Sequence, residues 1–171
     1  MALSPQYILL PVNPLFIGFT LLVALGLNLL PLGQTIGVPD WVALSLVFWN
    51  IHQPRRVGIF IAFIMGLLVD INDAALLGEH ALAYTTLSYL ATTLHRRVLW
   101  FGQVGQMLHV LPLLLLVQVI VVLVRILAGG TLPGLGFFIE SIVATALWPL
   151  VAFFYLAPQR RAIDRDDHRP L

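Results

Sequence analysis

The sequence predicts an all-α integral membrane protein with six transmembrane helices, and three observations lead there. Hydrophobic residues make up 60% of the 171 residues and charged residues only 10%, where a water-soluble surface needs roughly a quarter charged. The mean hydropathy is +0.96. The apolar residues also fall into six stretches separated by Pro, Gly or Arg, and arginine occurs almost only at alternate breaks. Composition excludes other classes. With a formal net charge of +1 and no basic stripe, no nucleic-acid partner is expected. Without cysteine there are no disulfides, thiolate metal sites or cysteine nucleophiles.

A span needs about 20 mostly apolar residues to cross about 30 Å of hydrocarbon, and shorter stretches can cross where the bilayer thins. Residues 15–32 form a first, charge-free span ended by Pro31 and Gly33. Because Met1 to Asn13 carries no Lys or Arg, this segment is expected to be a retained span and not a cleaved signal. The second span, 40–52, opens after Pro39 and closes at Pro54. The others are 57–71, 81–94, 104–128 and 135–156, with a kink expected at Pro149. These give a transmembrane domain over residues 1–157. The polar tail, 158–171, is expected to be disordered.

Orientation follows from the arginines, since short positively charged loops stay cytoplasmic. Arg55 and Arg56 lie between spans two and three, Arg96 and Arg97 between four and five, and Arg160, Arg161, Arg165 and Arg169 after six. That puts eight of the nine arginines on one side and both chain ends in the cytoplasm. The connections 33–39, 72–80 and 129–134 contain no arginine. Trp41, Trp100 and Trp148 stand near span ends, where indoles anchor at the interface.

Gly58, Ala62 and Gly66 recur every four residues in span three, the spacing that lets helix backbones approach closely in lipid. The same step reaches Asp70, placing it on or near the packed seam. A charge there needs a partner or water, unless it simply reaches the headgroups. Span four carries Ala81, Thr85, Ser88, Thr92 and His95 on one face, which is expected to meet other helices. Between these spans, Asp70, Asp73, Gly78, Glu79 and His80 lie in a segment both acidic and apolar, expected as a loop dipping into the outer leaflet. Their spacing matches no metal-ligand motif, and neither metal nor cofactor is expected. Arg125 and Glu140 fall at similar depth near the outer ends of spans five and six, where pairing would cancel two costly charges; the alternatives are that Arg125 snorkels outward or meets Asp70. Catalysis is not expected: no two facing spans supply an aspartate dyad, and no Gly-x-Ser-x-Gly occurs.

One stretch of sequence carries a family resemblance. Pro39-Asp40-Trp41 with Phe48-Trp49, then Pro54-Arg55-Arg56-Val57-Gly58, Gly66-Leu67-Leu68-Val69-Asp70 and Leu77-Gly78-Glu79-His80-Ala81-Leu82 resemble the central signature of the rod shape-determining MreD family. The match covers about residues 39–90. Phe48 stands where the family pattern has tyrosine, a change that removes a hydroxyl with little effect on packing. The resemblance implies a multi-pass protein of the bacterial inner membrane, within the cell-elongation and peptidoglycan-synthesis machinery. It implies as partners the periplasmic scaffold MreC and, directly or indirectly, the filament protein MreB, the glycosyltransferase RodA and its penicillin-binding transpeptidase. It also implies a fold similar to the substrate-binding subunits of energy-coupling-factor transporters.

Two functions are weighed. The first is a non-catalytic scaffold whose periplasmic contact uses the acidic outer loop, with Asp70 and Gly78 setting its geometry, and whose cytoplasmic contact uses the arginine pairs. The rival is a vitamin-type transporter subunit, which needs a midplane pocket with convergent polar groups.

Overall fold

The structure, a computed structural model, describes residues 8, 9, 12–30, 37–73 and 76–161. Asn13 starts the first helix, α1 (Pro14–Asn28): its side chain accepts from the Leu15 N–H at 3.0 Å, and Pro14 occupies the first turn, where a missing N–H costs nothing. The helix stops four residues short of the expected end. Leu30 precedes Pro31, and a residue before proline is driven out of the helical region.

Asp40 starts α2 (Trp41–His52) by accepting from the Ala43 N–H at 2.9 Å. Every residue from Val42 to Ile51 is buried. A short helix that is apolar almost all round belongs inside a protein, and α2 packs against α1, α4, α5, α6 and α7, with α4 its most extensive neighbour. It is followed by α3 (Ile59–Asn72), α4 (Glu79–Leu99) and α5 (Gln103–Leu127). The sixth stretch forms a 3-10 turn over Leu135–Phe138, then α6 (Ile139–Ala146) and α7 (Trp148–Leu156). Its two halves meet at 42°. The break at Leu147 lies beside Pro149, which has no N–H to continue the helical ladder.

Among the described residues, only α5 is by itself long and apolar enough to cross a membrane. The bent pair Gly136–Ala146 and Trp148–Gln159 passes the same test as one broken span, while α1, α2 and α3 are shorter apolar helices. The molecule is thus a helical bundle with membrane-like apolar segments, though not six full-length spans. Its outer faces remain apolar, with Phe19, Phe60, Leu82, Leu123 and Phe153 exposed.

Two packing features hold the bundle together. The first is aromatic: the Trp49 and Tyr155 rings stack at 5.5 Å, and Phe48 packs edge-on against both. Trp148, expected at an interface, is instead fully buried and donates to Gln106 Oε1 at 3.1 Å. The second is the α3–α4 contact, the most extensive between any two elements. Here a methyl group added at Gly66 would overlap the Ala81 backbone, so only glycine permits the approach. Ala62 is fully buried on the same seam. Gly58 is not part of it: it sits ahead of α3 as the N-cap residue, with open space where a side chain would project.

Two short strands flank the helices. Ile8–Leu9 (β1) pairs antiparallel with Arg160–Arg161 (β2), so Ile8 faces Arg161 and Leu9 faces Arg160. Arg56 reaches the same end, its Nη1 donating to Val12 O at 2.7 Å. The tail expected to be disordered therefore begins as a 3-10 turn over Ala157–Gln159 followed by β2. Residues 162–171, which include Arg165 and Arg169, lie outside the described residues.

Candidate functional site

The carboxylates among the described residues, Asp40, Asp70, Asp73, Glu79 and Glu140, gather at the end of the bundle away from the β1–β2 pair, and Asp70 shows why they are tolerated there. Gly78, in the left-handed region at φ +103°, occupies the N-cap of α4 and has no side chain to cap it. Asp70, from the last turn of α3, supplies the missing acceptor. Its carboxylate takes the N–H of Gly78 and of His80 at 2.8 Å each, that of Ala81 at 3.4 Å, and His80 Nδ1 at 2.9 Å. Asp70 is fully buried. Its negative charge faces the positive end of the α4 dipole, and bonds from N–H groups to a carboxylate are the stronger kind.

Glu79 opens α4 two residues before the expected span, and it too is buried. Its Oε1 accepts from Arg125 Nε at 2.6 Å, joining α4 to α5. The ion pair expected between Arg125 and Glu140 is therefore corrected. Arg125 pairs with Glu79 because the α4 start lies beside the α5 end, and the guanidinium also stands 5.9 Å above the Phe137 ring. Glu140 instead receives a long contact, 3.4 Å, from Gln118 Nε2. Gln118 gives its shorter bond, 2.7 Å, to Phe137 O, and its Oε1 accepts from Ser141 at 2.6 Å.

Asp40 does more than cap α2. It also accepts from Asn28 Nδ2 at 2.9 Å and from the Tyr84 hydroxyl at 2.7 Å, and Asn28 Oδ1 takes the Trp41 N–H at 2.9 Å. One carboxylate thus ties α1, α2 and α4. Deeper in the bundle, Asn50 Oδ1 accepts from Ser88 at 2.8 Å and from Thr92 at 3.3 Å. The hydroxyl face expected on α4 divides accordingly: Ser88 and Thr92 bond across to α2, while Thr85 bonds its own backbone at Ala81 O. Asp73 is exposed at the rim, where it accepts from Asn72 Nδ2 at 3.0 Å.

Among these groups opens a cavity of about 1340 Å³. All three arginine-free connections contribute to it, through Pro39, Leu76 and Thr131, and Asp40, Glu140 and Arg125 stand on its walls. No group of three or more metal-ligating side chains occurs among the described residues. The arginines expected to fix topology lie elsewhere: Arg96 and Arg97 are exposed in the last turn of α4, and Arg55 and Arg56 are exposed between α2 and α3.

Three residues in this arrangement did not stand out in the sequence as site members. Asn50 had a signal, as the lone amide in an otherwise apolar stretch, and so did Asp40, an acid directly after proline. The reach of Tyr84 to Asp40, 44 residues away, had none.

Comparison with known proteins identifies the family. A family model described as rod shape-determining protein MreD matches residues 8–157. The rod shape-determining protein MreD of Haemophilus influenzae is 27% identical over 149 residues, covering 85% of this chain and 89% of that protein. No solved structure matches the chain, so the expected likeness to transporter subunits gains no support from known folds. With the match running from β1 to the end of α7, this chain belongs to the rod shape-determining protein MreD family.

Proposed function

We propose that the chain is a non-catalytic scaffold subunit of the rod-shape, peptidoglycan-synthesizing complex, crossing the bacterial inner membrane six times with both ends in the cytoplasm. Family membership gives the role in rod-shape determination. The observation that carries the scaffold reading is how the ionisable groups are used. Asp70 caps α4, Asp40 joins three helices, and Glu79 holds Arg125. These carboxylates are taken up in fastening helices to one another, which is what a scaffold asks of them.

Sidedness supports the topology. The β1–β2 pair, which contains Arg160 and Arg161, lies with Arg56 at one end, and residues of the arginine-free connections line the cavity at the other. Helices of 12 to 15 residues extend only about 18–23 Å. Crossing six times therefore requires a locally thinned bilayer, with α2 sheathed in protein and spared from lipid.

In this reading the cavity end meets periplasmic partners, MreC foremost. The arginine end meets the cytoplasmic filament protein MreB, and RodA with its transpeptidase associates directly or through these. The test is isolation in mild detergent at native expression, with everything attached identified. Wall-synthesis proteins are expected. A chain recovered alone and carrying a vitamin-sized solute would favour the transporter subunit.

A further inference from the structure

With every described carboxylate gathered away from the β1–β2 pair, the opposite end of the bundle carries positive charge that nothing balances. Arg55, Arg56, Arg96 and Arg97 are exposed there. None of them has a carboxylate within salt-bridge distance among the described residues. Of their side-chain donors only Arg56 Nη1 is taken, by Val12 O. The two pairs come from separate turns yet reach the same depth. Asp40 and Asn50 of α2 accept in order from Tyr84 and from Ser88 and Thr92 of α4, so the two helices run side by side in one direction. Arg96 follows Thr92 by one turn, and Arg55 follows Asn50 by little more. Residues 162–171 hold three aspartates, Asp164, Asp166 and Asp167, against two arginines, Arg165 and Arg169. Such a segment is too nearly neutral to balance four guanidinium groups.

The surroundings of Arg96 and Arg97 point to lipid. Trp100, the C-cap residue of α4, is 94% exposed and stands three and four residues after them, on their face of the helix. From Arg97, the positions Thr93, Tyr89, Thr86 and Leu82 follow at steps of three or four down the outside of α4. The two threonine hydroxyls are spent on their own backbone, at Tyr89 O and Leu82 O, 2.9 Å each. An acyl chain can therefore lie on this face without burying an unsatisfied donor. Val104 and Leu108, in the first turns of α5, are exposed as well. An indole beside guanidinium groups, at the end of an apolar face, suits the level of lipid headgroups. Guanidinium forks match phosphate oxygens two at a time. An acidic protein resting on the arginines alone would leave Trp100 in water.

We propose that the end of α4, where it turns into α5, is a binding site for an anionic phospholipid. Arg96 and Arg97 hold its phosphate, Trp100 lies at the headgroup, and an acyl chain follows the outer face of α4. Arg55 and Arg56, at the same depth, add to the attraction. The inference goes beyond the scaffold reading and does not depend on it.

The test places the full-length protein in phosphatidylcholine nanodiscs containing a small fraction of spin-labelled phosphatidylglycerol or spin-labelled phosphatidylcholine, and reads how much of each label is motionally restricted. Restricted phosphatidylglycerol is expected to exceed phosphatidylcholine about fivefold or more, the factor that one arginine near an anionic headgroup supplies. The excess is expected to vanish in the Arg96→Gln, Arg97→Gln double variant, to shrink with Trp100→Ala and in high salt, and to persist in part in the Arg96→Lys, Arg97→Lys variant. These side chains are exposed, so an unchanged thermal midpoint is expected and separates loss of the site from loss of the fold. Equal restriction of the two lipids by the wild-type protein overturns the proposal, whatever the variants do. An excess that survives the double glutamine variant also overturns it, as does displacement by inorganic phosphate beyond that by chloride of equal ionic strength. In native membranes, p-benzoylphenylalanine introduced at Trp100 is expected to crosslink to phospholipid. Adducts with polypeptide alone would assign the patch to a protein and overturn the proposal, leaving the scaffold reading in place.

Discussion

Asp70 holds the structure at its most sensitive point, since one buried carboxylate serves as the cap that Gly78 cannot provide. Hydrogen bonds to a charged group contribute about 1.5–3 kcal/mol each, so Asp70→Asn, which keeps an acceptor but loses the charge, is expected to cost about 2 kcal/mol. Asp70→Lys turns a buried anion into a buried cation facing the helix N-terminus and is expected to cost more than about 4 kcal/mol. Denaturant midpoints in detergent read both, and wild-type stability in both variants would remove Asp70 from the structural core. The sequence marked Asp70 through its four-residue step from Gly66, so its place on the seam was legible. Its partners were less so. Glu79 and Glu140 are both carboxylates near Arg125 in depth, and depth does not say which helix is the neighbour. Only the position of the α4 start beside the α5 end selects Glu79.

At the scale of the element, the α3–α4 seam depends on the absence of a side chain at Gly66. Gly66→Leu forces the α4 backbone away, and overpacking of this kind costs about 1–3 kcal/mol. Insertion into the membrane is expected to stay intact while the thermal midpoint and the recovery of associated proteins both fall. Normal recovery would show that the seam does not support the partner surface. Small-residue spacing made Ala62 and Gly66 readable in advance, but periodicity alone could not tell that Gly58 precedes the helix. Hydropathy located the stretches that fold as α1 to α7, yet it could not separate a lipid-facing helix from a buried one. Only packing shows that α2 is enclosed from Val42 to Ile51 and that Trp148 belongs to the core.

For the whole molecule, the arginine pattern and the folded geometry lead to a two-ended arrangement by separate routes. The chain has no native cysteine, so single cysteines at Gly37, Thr131 and Arg165 report sidedness without background. An impermeant thiol reagent applied from the periplasm is expected to label the first two and not the third, and labelling of Arg165→Cys would overturn the topology. In the scaffold reading proposed above, this chain joins what lies outside the membrane to what lies inside. The direct measurement is to tag a periplasmic wall-synthesis partner, isolate it in mild detergent from cells with and without this chain, and quantify the cytoplasmic filament protein recovered with it. Recovery of the filament protein is expected to depend on the chain, and equal recovery in its absence would rule out the scaffold role.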